Sequence, residues 1–127
     1  MKLKSLLMLQ LAYFISGMAY NVGSYVLLSS GEAPLAPTAP LAGGASMIVY
    51  ALCLLPAVFG RITIYRLLMA LAVLAMGYGG VVKHVINFFG NLSLYHSMAA
   101  WAFALGINLF GLVLNIIAAA GWFDEGA

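Results

Sequence analysis

Residues 94–120 read LYHSMAAWAFALGINLFGLVLNIIAAA. The stretch holds no Asp, Glu, Lys or Arg. At about 1.5 Å per residue it is long enough to cross a ~30 Å hydrocarbon layer with some tilt. Its polar residues are not scattered. At about 100° per residue, Ser97, Trp101, Ala104, Asn108, Gly111 and Asn115 share one narrow helical face. An unpaired amide in hydrocarbon costs several kcal/mol. This face is therefore expected to meet another helix, a cavity or a partner rather than lipid.

The whole chain has the same character. Of its 127 residues, 65% are hydrophobic and 6% charged, against roughly 45–50% and about 25% in a soluble domain. So short a chain cannot hide that much apolar surface from water. We expect one integral membrane domain over residues 1–127, with the lipid bilayer as its solvent. A net charge of +2 with no basic run argues against nucleic acid as a partner. The single cysteine, Cys53, excludes an internal disulfide and a multi-cysteine metal site, and reads as a small buried hydrophobe.

Working outward from the last helix, the tail carries Trp122, suited to the membrane interface. Upstream, residues 83–93 (KHVINFFGNLS) read as an outer loop, with Phe88 and Phe89 at headgroup level. Residues 65–82 form the third expected helix, rich in alanine and glycine; Gly77, Gly79 and Gly80 should weaken its end. Arg61 and Arg66 both fall in the tight connection over residues 60–66 at its start. Residues 43–60 form the second helix, which Pro56 should kink or end. Residues 29–44 (SSGEAPLAPTAPLAGG) are a loop whose Pro34, Pro37 and Pro40 favour a stiff polyproline II spacer.

The first expected helix spans residues 5–28. A lysine pair before an apolar run also describes a signal peptide, but this run is longer than a signal core and no A-x-A site ends it. Gln10, Tyr13, Gly17, Asn21 and Ser24 share one of its faces, and Ala12, Ser16, Ala19 and Gly23 another. Small residues let membrane helices approach closely. The stripe on the first helix, Gln10, Gly17, Asn21 and Ser24, is expected to pack against the stripe Trp101, Asn108, Gly111 and Asn115 on the fourth.

Charge sets the expected topology. With the N-terminus inside, Lys2, Lys4, Arg61 and Arg66 are cytoplasmic and only Lys83 is outside, so both termini face the cytoplasm. The fold class is then an all-α membrane bundle of four helices, N-in and C-in, placed in a bacterial inner (plasma) membrane.

Chemistry has few footholds. Glu32, Asp124 and Glu125 lie in a loop or the tail, so no acid is expected within a span. Small multidrug exporters share this length and helix count, but their first-helix glutamate has no counterpart. Residues 106–111 (GINLFG) resemble the asparagine-containing stretch of small fluoride channels. The first-helix arginine and the phenylalanine-threonine segment of that family are absent, and no role is carried over. His84 and His96 flank the outer loop and are the only candidate ligands for haem b or a shared metal. No nucleophile, base and orienting group recur in a catalytic pattern.

The leading expectation is a non-catalytic accessory, scaffold or assembly subunit of a larger membrane complex or a homo-oligomer, with no resident cofactor or metal. The alternative is a small channel or carrier whose polar path is lined by Gln10, Asn21, Asn108 and Asn115. A haem or quinone anchor is third.

Overall fold

Glycines with a left-handed backbone, Gly31, Gly60 and Gly121, stop three of the helices. In the computed structural model, which describes residues 1–126, Gly60 and Gly121 have φ of 70° and 74°. The Gly60 and Arg61 N–H groups donate back to the Ala57 and Pro56 carbonyls (3.1 and 2.7 Å), and those of Gly121 and Trp122 to Ala118 and Ile117 (3.1 and 3.0 Å). This pair of returning bonds satisfies the orphan carbonyls of a helix end, and it needs a residue without a Cβ at the turn.

The elements run α1 (Leu3–Ser29), α2 (Pro40–Val58), α3 (Ile62–Met76), a π-helical segment (Gly77–Val82), α4 (Lys83–Gly90), a 3-10 turn (Leu92–Leu94) and α5 (Met98–Ala120). Pro40 opens α2, where its missing N–H is not needed. Ser97 caps α5 by accepting the Ala100 N–H at 3.0 Å. Among the described residues, four helical spans are long and apolar enough to cross a membrane, Ile62–Gly90 acting as one.

Several boundaries differ from the sequence reading: α2 already starts at Pro40, inside the expected loop, and α3 at Ile62, and two further differences are larger. The third helix does not stop at residue 82 but continues to Gly90, so most of the expected outer loop is helical. The last helix begins at Met98, not residue 94. Without a proline to break the ladder, the glycine-rich stretch is absorbed as a π segment, with the Lys83 N–H bonding the Tyr78 carbonyl five residues back. Asn91, extended at φ −155°, ends the helix instead.

The spans form a ring in which α1 packs on α2 and α5, and α3 on α2 and α5. One end holds both termini. There the Leu3 N–H donates to the Asp124 carbonyl and the Asp124 N–H to Met1, both at 2.9 Å. Arg66 also donates to the Ala119 and Ala120 carbonyls (3.1 and 3.2 Å), a cation on the negative end of α5. At the far end the connections close on each other. The His96 N–H donates to the Leu35 carbonyl at 3.3 Å, and the Leu35 N–H to Ser24 Oγ at 3.0 Å. Ala36 is buried with Tyr95 and Ala104, so the proline-rich loop is a docked lid rather than a solvated spacer.

The core is narrow and aromatic. Leu6, Tyr13, Tyr50, Leu54, Tyr65, Met69 and Leu114 pack inside the half nearer the termini. Large apolar side chains such as Leu74 (72% exposed), Phe103 (67%) and Leu67 (63%) cover the outside. An exterior of that kind suits hydrocarbon, not water.

Candidate functional site

Every span contributes to a buried polar node. Gln10 on α1 is wholly buried, and its Oε1 accepts the Tyr65 hydroxyl from α3 at 2.6 Å. Its Nε2 donates to Asn115 Oδ1 on α5 at 3.1 Å and to Met69 Sδ at 3.2 Å. Asn115 Oδ1 also accepts the Tyr50 hydroxyl from α2 at 2.8 Å, and its Nδ2 donates to Met76 Sδ at 3.3 Å. Tyr13 meets Tyr50 edge-on with ring centroids 5.0 Å apart, and its hydroxyl donates to Met76 Sδ at 3.8 Å. Among the described residues no buried side-chain nitrogen or oxygen lacks a partner. The node therefore closes the bundle nearer the termini at no cost in orphaned amides.

On the far side of that node the helices part around a cavity of about 340 Å³. Tyr13 and Met76 belong to both node and cavity, and so form its floor. Asn21 on α1 and Asn108 on α5 lie in its walls. Their bonding is the same. Each carboxamide nitrogen donates to the carbonyl four residues earlier in its own helix, Gly17 and Ala104 respectively, both at 2.8 Å. Each carboxamide oxygen lies against a glycine of the neighbouring span, Gly43 for Asn21 and Gly80 of the π segment for Asn108, where a Cβ would collide with it. Neither oxygen accepts a hydrogen bond from the described residues, and neither is sealed from the space it lines.

The rest of the lining is mostly small or apolar, with Ser24, Thr38, Ser46, Lys83 and His84 as further polar groups. Thr38, Ser46, Ala75, Gly79 and Lys83 are exposed as well as cavity-lining, which puts the mouth between the start of α2 and the π segment. Lys83 sits at this rim with its ammonium 5.7 Å from the centre of the Tyr78 ring. His84 is buried and pairs through Nδ1 with the Tyr95 hydroxyl. Asn87 Nδ2 donates to that hydroxyl at 3.2 Å. Burial pushes the Tyr95 phenol above its ordinary pKa, against the opposing effect of the Asn87 bond, and keeps it protonated. The Trp101 indole donates to the His84 carbonyl at 2.9 Å and stacks on Phe88, fixing α4 against α5.

The expected stripes separate into two sets. Gln10 and Asn115 do meet, and Gly111 abuts the Tyr13 ring. Gly17, Asn21, Ser24 and Asn108 line the cavity instead of touching across it: Gly17 faces Met47 of α2, and Ser24 holds the loop. Trp101 turns to α4. The contact between the first and last helices through amides is thus confined to the half nearer the termini, because Tyr13 and Met76 wedge the space beyond it. His84 and His96 do not share a site. His96 is exposed and its Nδ1 lies 3.2 Å from the Ala33 carbonyl. Among the described residues no group of three or more His, Cys, Asp and Glu could hold a metal.

Sequence reasoning misses Tyr50, Tyr65, Met69 and Met76 as partners of the amides. A signal exists: Tyr65, Met69, Ala72 and Met76 recur at helical spacing on one face of α3. The sequence matches no protein-family model, and comparison with curated proteins and with solved structures finds no similar chain.

Proposed function

We propose that this protein is a small solute-binding membrane protein of the carrier class, whose ligand occupies the cavity beyond the Gln10–Asn115 node. The observation that carries this reading is the bonding of Asn21 and Asn108. Carboxamides that serve as glue bond across helices, as Gln10 and Asn115 do. Asn21 and Asn108 instead donate one amide hydrogen each to their own helices and make no bond across the bundle, although both stand in the cavity wall, their oxygens packed against Gly43 and Gly80. That arrangement suits a ligand better than it suits packing. Tyr13 and Met76 close the floor, so passage would require the node to rearrange, which favours a carrier over an open pore. In this reading the protein sits in a bacterial plasma membrane; the positive-inside bias supports an orientation with the termini toward the cytoplasm and the mouth toward the outer leaflet.

Thiol labelling tests the reading. In a Cys53→Ser background, Asn108→Cys in intact membranes should react with a small maleimide many times faster than Asn115→Cys. Equally slow reaction at the two positions would remove the cavity as a ligand site.

A second reading, the accessory subunit or homo-oligomer, draws on the outer face of α1. Ala12, Ser16 and Ala19 are all exposed there, and Ser16 Oγ is turned to the Ala12 carbonyl at 2.9 Å. This leaves a smooth strip along which another helix could approach closely. Cysteines at Ala12 and Ala19 should crosslink to a second chain if that reading holds.

A further inference from the structure

The mouth of the cavity extends along the third span. At ~1.5 Å per residue, Ala75 and Gly79 lie about 20–26 Å from Ile62, within a hydrocarbon layer of ~30 Å, while Lys83 lies about 32 Å from it, at the edge of that layer. The opening between α2 and the π segment therefore reaches from the acyl chains to headgroup level. The lining changes along the same direction. Tyr13, Met47, Met76 and Ile107 make the deep part apolar, and Met76 lies about 10 Å below Lys83 on the same scale. Thr38, Lys83 and His84 gather at the shallow end.

That shallow end is cationic and offers donors. Lys83 is the one charged side chain in the described lining, and none of its neighbours there is acidic. Its ammonium rests 5.7 Å from the centre of the exposed Tyr78 ring, on a stem long enough to turn toward the opening. His84 is only 5% exposed and uses Nδ1 on Tyr95. Its Nε2 has no partner, and since no sealed side-chain nitrogen of the described residues lacks one, Nε2 opens on the cavity. Each carboxamide nitrogen of Asn21 and Asn108 gives one hydrogen to its own helix and keeps a second, while the oxygens lie against Gly43 and Gly80. A cation beside a hydroxyl and amide hydrogens is the chemistry that holds a carboxylate, because charge-assisted hydrogen bonds are roughly twice as strong as neutral ones.

We propose that the cavity, taken as the ligand site of the preceding reading, binds a single-chain amphiphile with a carboxylate head, the head held at the mouth by Lys83 and Thr38 and the chain laid over Met47, Met76 and Tyr13. It enters sideways from the bilayer, where such a molecule already stands with its head at the level of Lys83 and its chain at the level of Gly79 and Ala75. A cavity of about 150 Å³ holds a benzene ring, so the ~340 Å³ here admits one chain of medium length.

Calorimetric titration of the full-length protein in mild detergent, with empty micelles as reference, tests the assignment. The probes are decanoate, decanol and decyltrimethylammonium at about pH 8, where the acid is ionised. Decanoate should bind at least about tenfold more tightly than the alcohol, and the cation should not bind. Lys83→Gln should weaken decanoate by about tenfold, whereas Lys4→Gln, at the opposite end, should leave it unchanged. Gly79→Leu, placed where a Cβ meets nothing within 4 Å, narrows the mouth and should also weaken decanoate. If a variant fails to fold, the comparison of acid and alcohol on the native chain decides. Equal binding of acid and alcohol, or equal losses in Lys83→Gln and Lys4→Gln, would overturn the carboxylate assignment. Tight binding indifferent to Gly79→Leu would place the ligand outside the cavity and overturn it too. Binding of no probe, with Asn108→Cys still labelled faster than Asn115→Cys, would overturn this ligand class and leave the cavity standing. Binding of no probe, with both thiols equally slow, would remove both.

Discussion

A Cβ placed on Gly111 would strike the Tyr13 ring, whereas at Gly17 it would meet the thioether of Met47 and at Gly43 the amide end of Asn21. A thioether or an amide can swing aside. A ring held edge-on by Tyr50 and bonded to Met76 has nowhere to go. We therefore expect Gly111→Leu to lower the melting temperature in detergent more than Asn115→Leu does. The latter removes bonds worth ~1 kcal/mol each and adds apolar contact in return. An equal or reversed order would show that Tyr13 is free to move. The tyrosines make a second comparison. Tyr65→Phe leaves Gln10 Oε1 without its donor, a loss of about 1–3 kcal/mol for an orphaned buried acceptor. Tyr50→Phe leaves Asn115 Oδ1 still bonded to Gln10, so only ~1 kcal/mol is at stake. Chemical denaturation of the two variants should place Tyr65→Phe lower.

At the level of the elements, the third span departs most from its sequence. Gly77, Gly79 and Gly80 read as a helix end, yet the chain keeps its helical course through them as a π segment. The glycines do different jobs. A Cβ at Gly79 meets nothing within 4 Å, while one at Gly80 would displace the Asn108 carboxamide. Gly79→Ala should thus be neutral or stabilise by ~0.4–1 kcal/mol, through the entropy of the unfolded chain. Gly80→Ala should push Asn108 off the Ala104 carbonyl and weaken any bound ligand. A clear loss of melting temperature in Gly79→Ala would mean that the segment is not continuous helix. The four spans were legible because charge and proline confine themselves to a few short connections. The Gln10–Asn115 contact was legible because two amides in apolar runs need each other. The cavity was not. A stripe of amides shows that a helix face avoids lipid, and it does not show whether a neighbour, a tyrosine or open space lies opposite. Tyr50 and Tyr65 were hidden for a similar reason, since a tyrosine in an apolar run reads as packing until its hydroxyl is placed.

The whole molecule sets its two ends apart. The end with the termini is sealed and carries Lys2, Lys4, Arg61 and Arg66. The opposite end has the docked loop, Lys83 and the mouth of the cavity. Backbone bonds between residues 1–3 and Asp124 place the two termini together, which an even number of spans requires. The charge argument, that basic residues flanking short loops stay in the cytoplasm, makes the side on which they lie a prediction. A reporter enzyme fused after the last residue should be active in the cytoplasm, and one inserted at Thr38 should be active outside. Exchanged activities would invert the charge argument and turn the cavity mouth toward the inner leaflet. Activity of both on one side would break the four-span count. A cysteine pair at Gly17 and Asn108 adds a check within the bundle. Because Gly17 faces Met47 and Asn108 faces Gly80 across the cavity, the pair should stay reduced under mild oxidation and yet both thiols should label. Rapid disulfide formation within one chain would mean that α1 and α5 close on each other and that no ligand space separates them.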